Sequence, residues 1–133
     1  MFLHLLTTEE QKNFLELANV LINCDNYLSN EELQLMNTYR YEMRISEDEY
    51  LIQNTQLEEI LNALASTSIK NKKVILIELI ALSLSDNDGN SLEKELIDKV
   101  ANKFEIDEIV IKQSIEWVQE MTKLSKKVED ILN

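Results

Sequence analysis

Apolar residues recur every three or four positions along most of this chain, the period of a helix and not of a strand. Phe14, Leu15, Leu17, Ala18, Leu21 and Ile22 make one such face, and Thr7 with Glu10 ahead of them makes a capping box. Ser29 with Glu32 makes a second box and predicts a helix to about Arg44, with Leu33, Leu35, Met36 and Tyr39 turned inward. Ser46 with Glu49 predicts a short helix, and Thr55 with Glu58 another whose stripe is Leu57, Ile60, Leu61 and Leu64. From Val74 to Leu84 the apolar residues cover nearly every side, so this segment is predicted to run buried through the middle of the molecule. Its β-branched residues would also suit a strand, but no partner strand is visible elsewhere. Asn90 with Glu93 is a fourth box, for a helix to about Phe104, and Asp107 caps a last helix carrying Val110, Trp117, Met121, Leu124, Val128 and Ile131. Past about residue 120 this stripe narrows to a seam, which packs either on the body of the domain or on a second chain as a homodimer.

A loop signature occurs twice. Asp25 is followed seven residues later by Glu32, and Asp88 by Glu95, and each pair joins an apolar helical run to the start of the next helix. Such a repeat implies two similar helical units that stack to bury their apolar faces. The units span about residues 8–66 and 69–120, with the last helix extending to 132. Ala65 to Ser68 is the internal boundary, too short for a flexible linker, so residues 1–133 read as a single domain. With no proline and one glycine, the chain lacks the residues that tight sheet turns need. The expectation is an all-α bundle of about six to eight helices.

The formal net charge is −12, and it is uneven: residues 1–67 hold 12 acids against 3 bases, residues 68–133 hold 13 against 10. Such a surface repels phosphate, which argues against nucleic acid and anionic membranes and favours cations or a basic protein partner. The same charge is also what keeps a cytoplasmic protein soluble. Cys24 is the only cysteine, so no intrachain disulfide forms. The apolar start Met1 to Leu6 is too short for a signal peptide, and Val74 to Leu84 too short for a membrane span. A soluble cytoplasmic protein is expected.

An apolar helix, then Asp-Gly, then a Ser and a Glu at the next helix start resembles the TerB-like proteins, named for bacterial tellurite resistance. A similar module occurs in a membrane-anchored DnaJ-type co-chaperone. The resemblance runs over about residues 8–120 and is carried best by Leu79, Ala81, Asp88, Gly89 and Glu95. In the first copy Asn26 stands where the family has glycine, and asparagine tolerates the same left-handed backbone. The resemblance implies a helical bundle with two acidic loops that hold a metal ion, and a role in stress resistance and assembly with no established reaction.

Asp86, Asp88, Asn90, Glu93 and Glu95 are the strongest chemical constellation. Oxygen ligands at alternate positions, a turn glycine and a later glutamate suit calcium or another hard divalent cation. Placed on an EF-hand loop with Gly89 as the turn glycine, Asp86 and Asp88 take ligand positions three and five, Asn90 position seven and Glu95 position twelve. Position one then falls on Leu84, which cannot bind, so affinity is expected to be weak, roughly tens of micromolar to millimolar. Helix capping alone explains Asn90, Glu93 and Glu95 equally well, but not Asp86, an anion at the disfavoured end of a helix dipole. Asp25, Asn23, Glu31 and Glu32 form a poorer first loop that capping also accounts for. Packed about a pseudo-twofold axis, the two loops would share one ion.

Glu78, in the middle of the central helix, must meet a lysine, a hydroxyl or water if buried. His4 is expected exposed or packed under the last helix, Cys24 as a small buried residue, and Trp117 in the core or seam. One histidine and one cysteine exclude a zinc cluster or triad, and one glycine cannot build a phosphate loop. The chain reads as a non-enzymatic binding or scaffold module with a cation site, or as an acidic protein-interaction domain without one.

Overall fold

The computed structural model describes residues 1–25, 28–85 and 91–133. A 3₁₀ turn, Leu3–Leu5, precedes six helices: α1 Thr8–Asn23, α2 Asn30–Met43, α3 Leu57–Ala63, α4 Ile69–Ser83, α5 Ser91–Lys103 and α6 Glu108–Leu132. There is no strand among the described residues, so the architecture is all-α. Helix α4 is the axis: α1, α2, α5, α6 and the N-terminal turn all pack on it. Val74, Ile75, Leu76, Leu79, Ile80 and Leu82 are buried on several of its sides, as the continuous apolar run requires.

The capping boxes at Thr7–Glu10 and Ser29–Glu32 are both closed reciprocally, each side chain holding the other residue's backbone N–H. Helix α1 buries its expected face. Helix α2 buries Met36 and Tyr39 and packs Leu35 on the core, but turns Leu33 out. Its inward residues are Glu32, Met36, Tyr39 and Met43, and Leu33 is 47% exposed. The capping box draws Glu32 inward, and Leu33, about 100° further round the helix, falls off the buried face.

Ser46 and Glu49 form a turn and not a helix. The turn is pinned by the Arg40 guanidinium, which donates to the carbonyls of Ile45, Ser46 and Tyr50. The N–H groups of Gln53 and Thr55 go to the Glu16 carboxylate, so the chain between the turn and α3 forms no helix, and Asn54 between them takes left-handed backbone with φ of 55°. Helices α2 and α5 end alike. Arg44 and Glu105 take left-handed backbone with φ of 57° each, and the following Ile45 and Ile106, both buried, donate back to Arg40 and Ala101. This is a Schellman closure made without glycine.

Helix α6 leaves the body. Val118 is its last buried residue, and every residue from Thr122 to Leu132 is exposed.

Candidate functional site

Among the described residues, acids from the starts of α2 and α5 lie near the C-terminus of α1. Cys24 caps the C-terminus of α1, Ser29 opens α2, and Ser91 begins α5. Glu32 and Glu93 each sit at the start of their helices and are each only 2% exposed. Glu32 Oε1 accepts from the Ser29 N–H and hydroxyl, both at 3.1 Å. Burial, then the negative charges of Glu93 and Asp25, and that of Glu32 less strongly, push the Cys24 thiol up to about 11. Those three carboxylates therefore lie near enough to the end of α1 to act on its thiol. A raised thiol pKa disfavours the thiolate that a nucleophile needs.

Asp86, Asp88 and Asn90 lie outside the described residues. Glu95 is exposed on α5, two residues and about 200° round the helix from the inward Glu93. Asp25 is half-buried and Glu32 buried in its capping box. Among the described residues, no group of three or more His, Cys, Asp or Glu side chains is placed to hold a metal ion.

Two buried carboxylates elsewhere are structural anchors. Glu78, 5% exposed, accepts from the Met1 ammonium at 3.0 Å and the Phe2 N–H at 2.9 Å, an amine partner where a lysine, hydroxyl or water was expected. Burial pulls the Met1 amine down, but the Glu42 and Glu78 carboxylates more than reverse this and leave it raised. Tyr39 donates to the Glu78 carbonyl at 2.8 Å. Glu16, 2% exposed, accepts from the Tyr50 hydroxyl and from the N–H groups of Gln53 and Thr55 at 2.8 and 3.0 Å. Burial raises this carboxyl, yet the three donors outweigh it and hold it below its ordinary value. Sequence reasoning passed over Glu16; its signal was an acid lodged inside the apolar run Phe14 to Ala18. His4 is exposed, with its ring 4.0 Å from Glu42.

On another side, Tyr39, Ile77, Ala81, Trp117, Val118 and Met121 line an open groove of about 660 Å³ between α2, α4 and α6. Trp117 is half-buried, its ring 5.6 Å from that of Phe2.

The whole arrangement has a solved counterpart. A crystal structure of a tellurite resistance protein from Nostoc punctiforme matches with a TM-score of 0.71, over 96% of this chain and 82% of that one. The two share a fold. Their sequences are 21% identical, so the likeness is one of architecture. No family model matches the chain, and no curated relative matches it. No helix among the described residues is long and apolar enough to cross a membrane.

Proposed function

We propose that this chain is a non-enzymatic, TerB-like binding or scaffold module of the cytoplasm, stress-related, with a weak divalent-cation site in the Asp86–Glu95 loop. The observation that supports this reading is that Asp25, Glu32 and Glu93 all lie near enough to the end of α1 to act on the Cys24 thiol. Two of those carboxylates are nearly buried in a fold shared with a tellurite resistance protein. The donor set is all oxygen, which suits calcium, magnesium or manganese better than zinc. Asp86, Asp88, Asn90 and Glu95 would supply the second loop's ligands, and Asp25 and Glu32 the first loop's. No reaction is assigned. A hydrolase needs a positioned base. The one histidine is exposed beside Glu42, and the one thiol is held protonated.

Calorimetric titration with calcium, magnesium, manganese and zinc, alongside thermal melts, tests the reading. Calcium is expected to bind with a dissociation constant of roughly tens of micromolar to millimolar and to raise the melting temperature. The Asp86→Asn/Asp88→Asn double variant should lose both effects. Absence of heat and of thermal shift with all four cations would remove the ion.

A second reading would then stand, supported by the excess of 12 acids over 3 bases in residues 1–67. It is an acidic domain that docks a basic protein surface. Its signature is a partner captured at low salt and released as ionic strength screens the charges.

A further inference from the structure

We propose that the exposed half of α6 is a homodimerisation surface, on which a second copy of this chain lies antiparallel with Met121 of each copy facing Leu124 of the other. Trp117, Met121, Leu124, Val128 and Ile131 follow steps of four, three, four and three residues, the spacing of a coiled-coil seam. Leu124 and Val128 are 55% and 54% exposed and Ile131 80% exposed, so the seam leaves the body without a partner among the described residues. A single surface helix gains nothing from such a stripe. It needs a second apolar face.

Charge selects the second copy as that face. The chain carries −12 overall, and like molecules repel through most of their surface. The exposed segment is the exception. Residues 119–133 hold Glu120, Glu129 and Asp130 against Lys123, Lys126 and Lys127, a net charge of zero. A basic partner would prefer the acidic first half; an identical copy can approach only where the field vanishes.

The flanks of the seam then fix direction and register. In antiparallel pairs the residues just before each first core position face one another. Here those are Glu120 and Lys127, both exposed, and neither in an ion pair among the described residues. With Met121 opposite Leu124, Glu120 of each copy meets Lys127 of the other, twice by symmetry. Sliding the helices by one seam step toward the C-terminus sets Lys127 against Lys127. Sliding the other way sets Glu120 against Glu120. Only the central register is attractive. It also lays Val128 of one copy over Trp117 of the other, at the edge of the groove that Tyr39, Ile77 and Ala81 line. That added apolar contact matters, because so short a pair of helices is marginal by itself.

Sedimentation equilibrium over a concentration series tests this directly. The wild-type chain should move from its monomer mass of 15.5 kDa to twice that value as concentration rises. Val128→Glu and Leu124→Glu should stay monomeric with unchanged circular dichroism, because both positions are exposed in the monomer. At low salt, Glu120→Lys alone or Lys127→Glu alone should weaken association about tenfold, and the Glu120→Lys/Lys127→Glu double variant should restore it. A chain that is monomeric at every concentration overturns the proposal, as does a dimer that survives Val128→Glu. A dimer broken by Val128→Glu but indifferent to both charge changes overturns the antiparallel register.

Discussion

Glu16→Ala is expected to lower folding stability by about 3–5 kcal/mol, because several part-buried donors lose a charged acceptor at roughly 1–3 kcal/mol each, with water making good some of the loss. The carboxylate is the common acceptor for the Tyr50 hydroxyl and two backbone N–H groups, of Gln53 and Thr55. Alanine would strand all three in a part-buried site and release the strap between α2 and α3. Glu16→Gln, which keeps the shape but loses the charge, should cost less. The pH dependence follows from the direction of the shift. The folded carboxyl is held below its ordinary value of 4.5, so its contribution is complete above that pH and fades as pH falls through the lower folded value. Urea melts of both variants, repeated down the acid limb, measure this. A loss under about 1 kcal/mol for the alanine variant would mean that water replaces the carboxylate and that the strap holds without it.

Phe14→Ala should be as damaging, at about 3–5 kcal/mol. Phe14 is fully buried on the central face of α1, edge-on to Tyr39 with ring centroids 5.2 Å apart. Tyr39 in turn donates to the Glu78 carbonyl of α4. Truncation therefore opens a cavity and loosens the side chain that ties α2 to the axis. A fall in melting temperature of about 10–20 °C is expected for a chain of this size. Phe14→Leu should recover more than half of it. A shift of only a degree or two would show that α1 repacks, contrary to its fully buried face.

What the sequence revealed was whatever depends on neighbours three or four residues away. Thr7–Glu10 and Ser29–Glu32 are capping boxes in both sequence and structure, because all their partners lie within one turn. The all-round apolar run of α4 marked the axis for the same reason. What escaped depends on distant partners. Glu16 acts on residues 34 to 39 positions away, so nothing local announces its role. Ser46 and Glu49 look like another box, but Arg40 and Glu16 claim the neighbouring backbone groups and stop a helix from propagating. Leu3 and Leu6 belong to the core although their segment is too short to show any period. In the candidate site, Glu93 was legible as a helix-starting acid. That Glu93 lies near the same end of α1 as Asp25 and Glu32 was open to the sequence only as one possible packing, because packing alone decides which ends meet.

Glu105 leaves the molecule a margin for change. Its left-handed backbone crowds a Cβ atom that glycine would not have, a strain of about 1 kcal/mol. The closure runs through main-chain groups alone, from Ile106 back to Ala101, so the side chain is dispensable there. A Glu105→Gly replacement should therefore leave a reserve of stability that can absorb a costly change elsewhere in the fold.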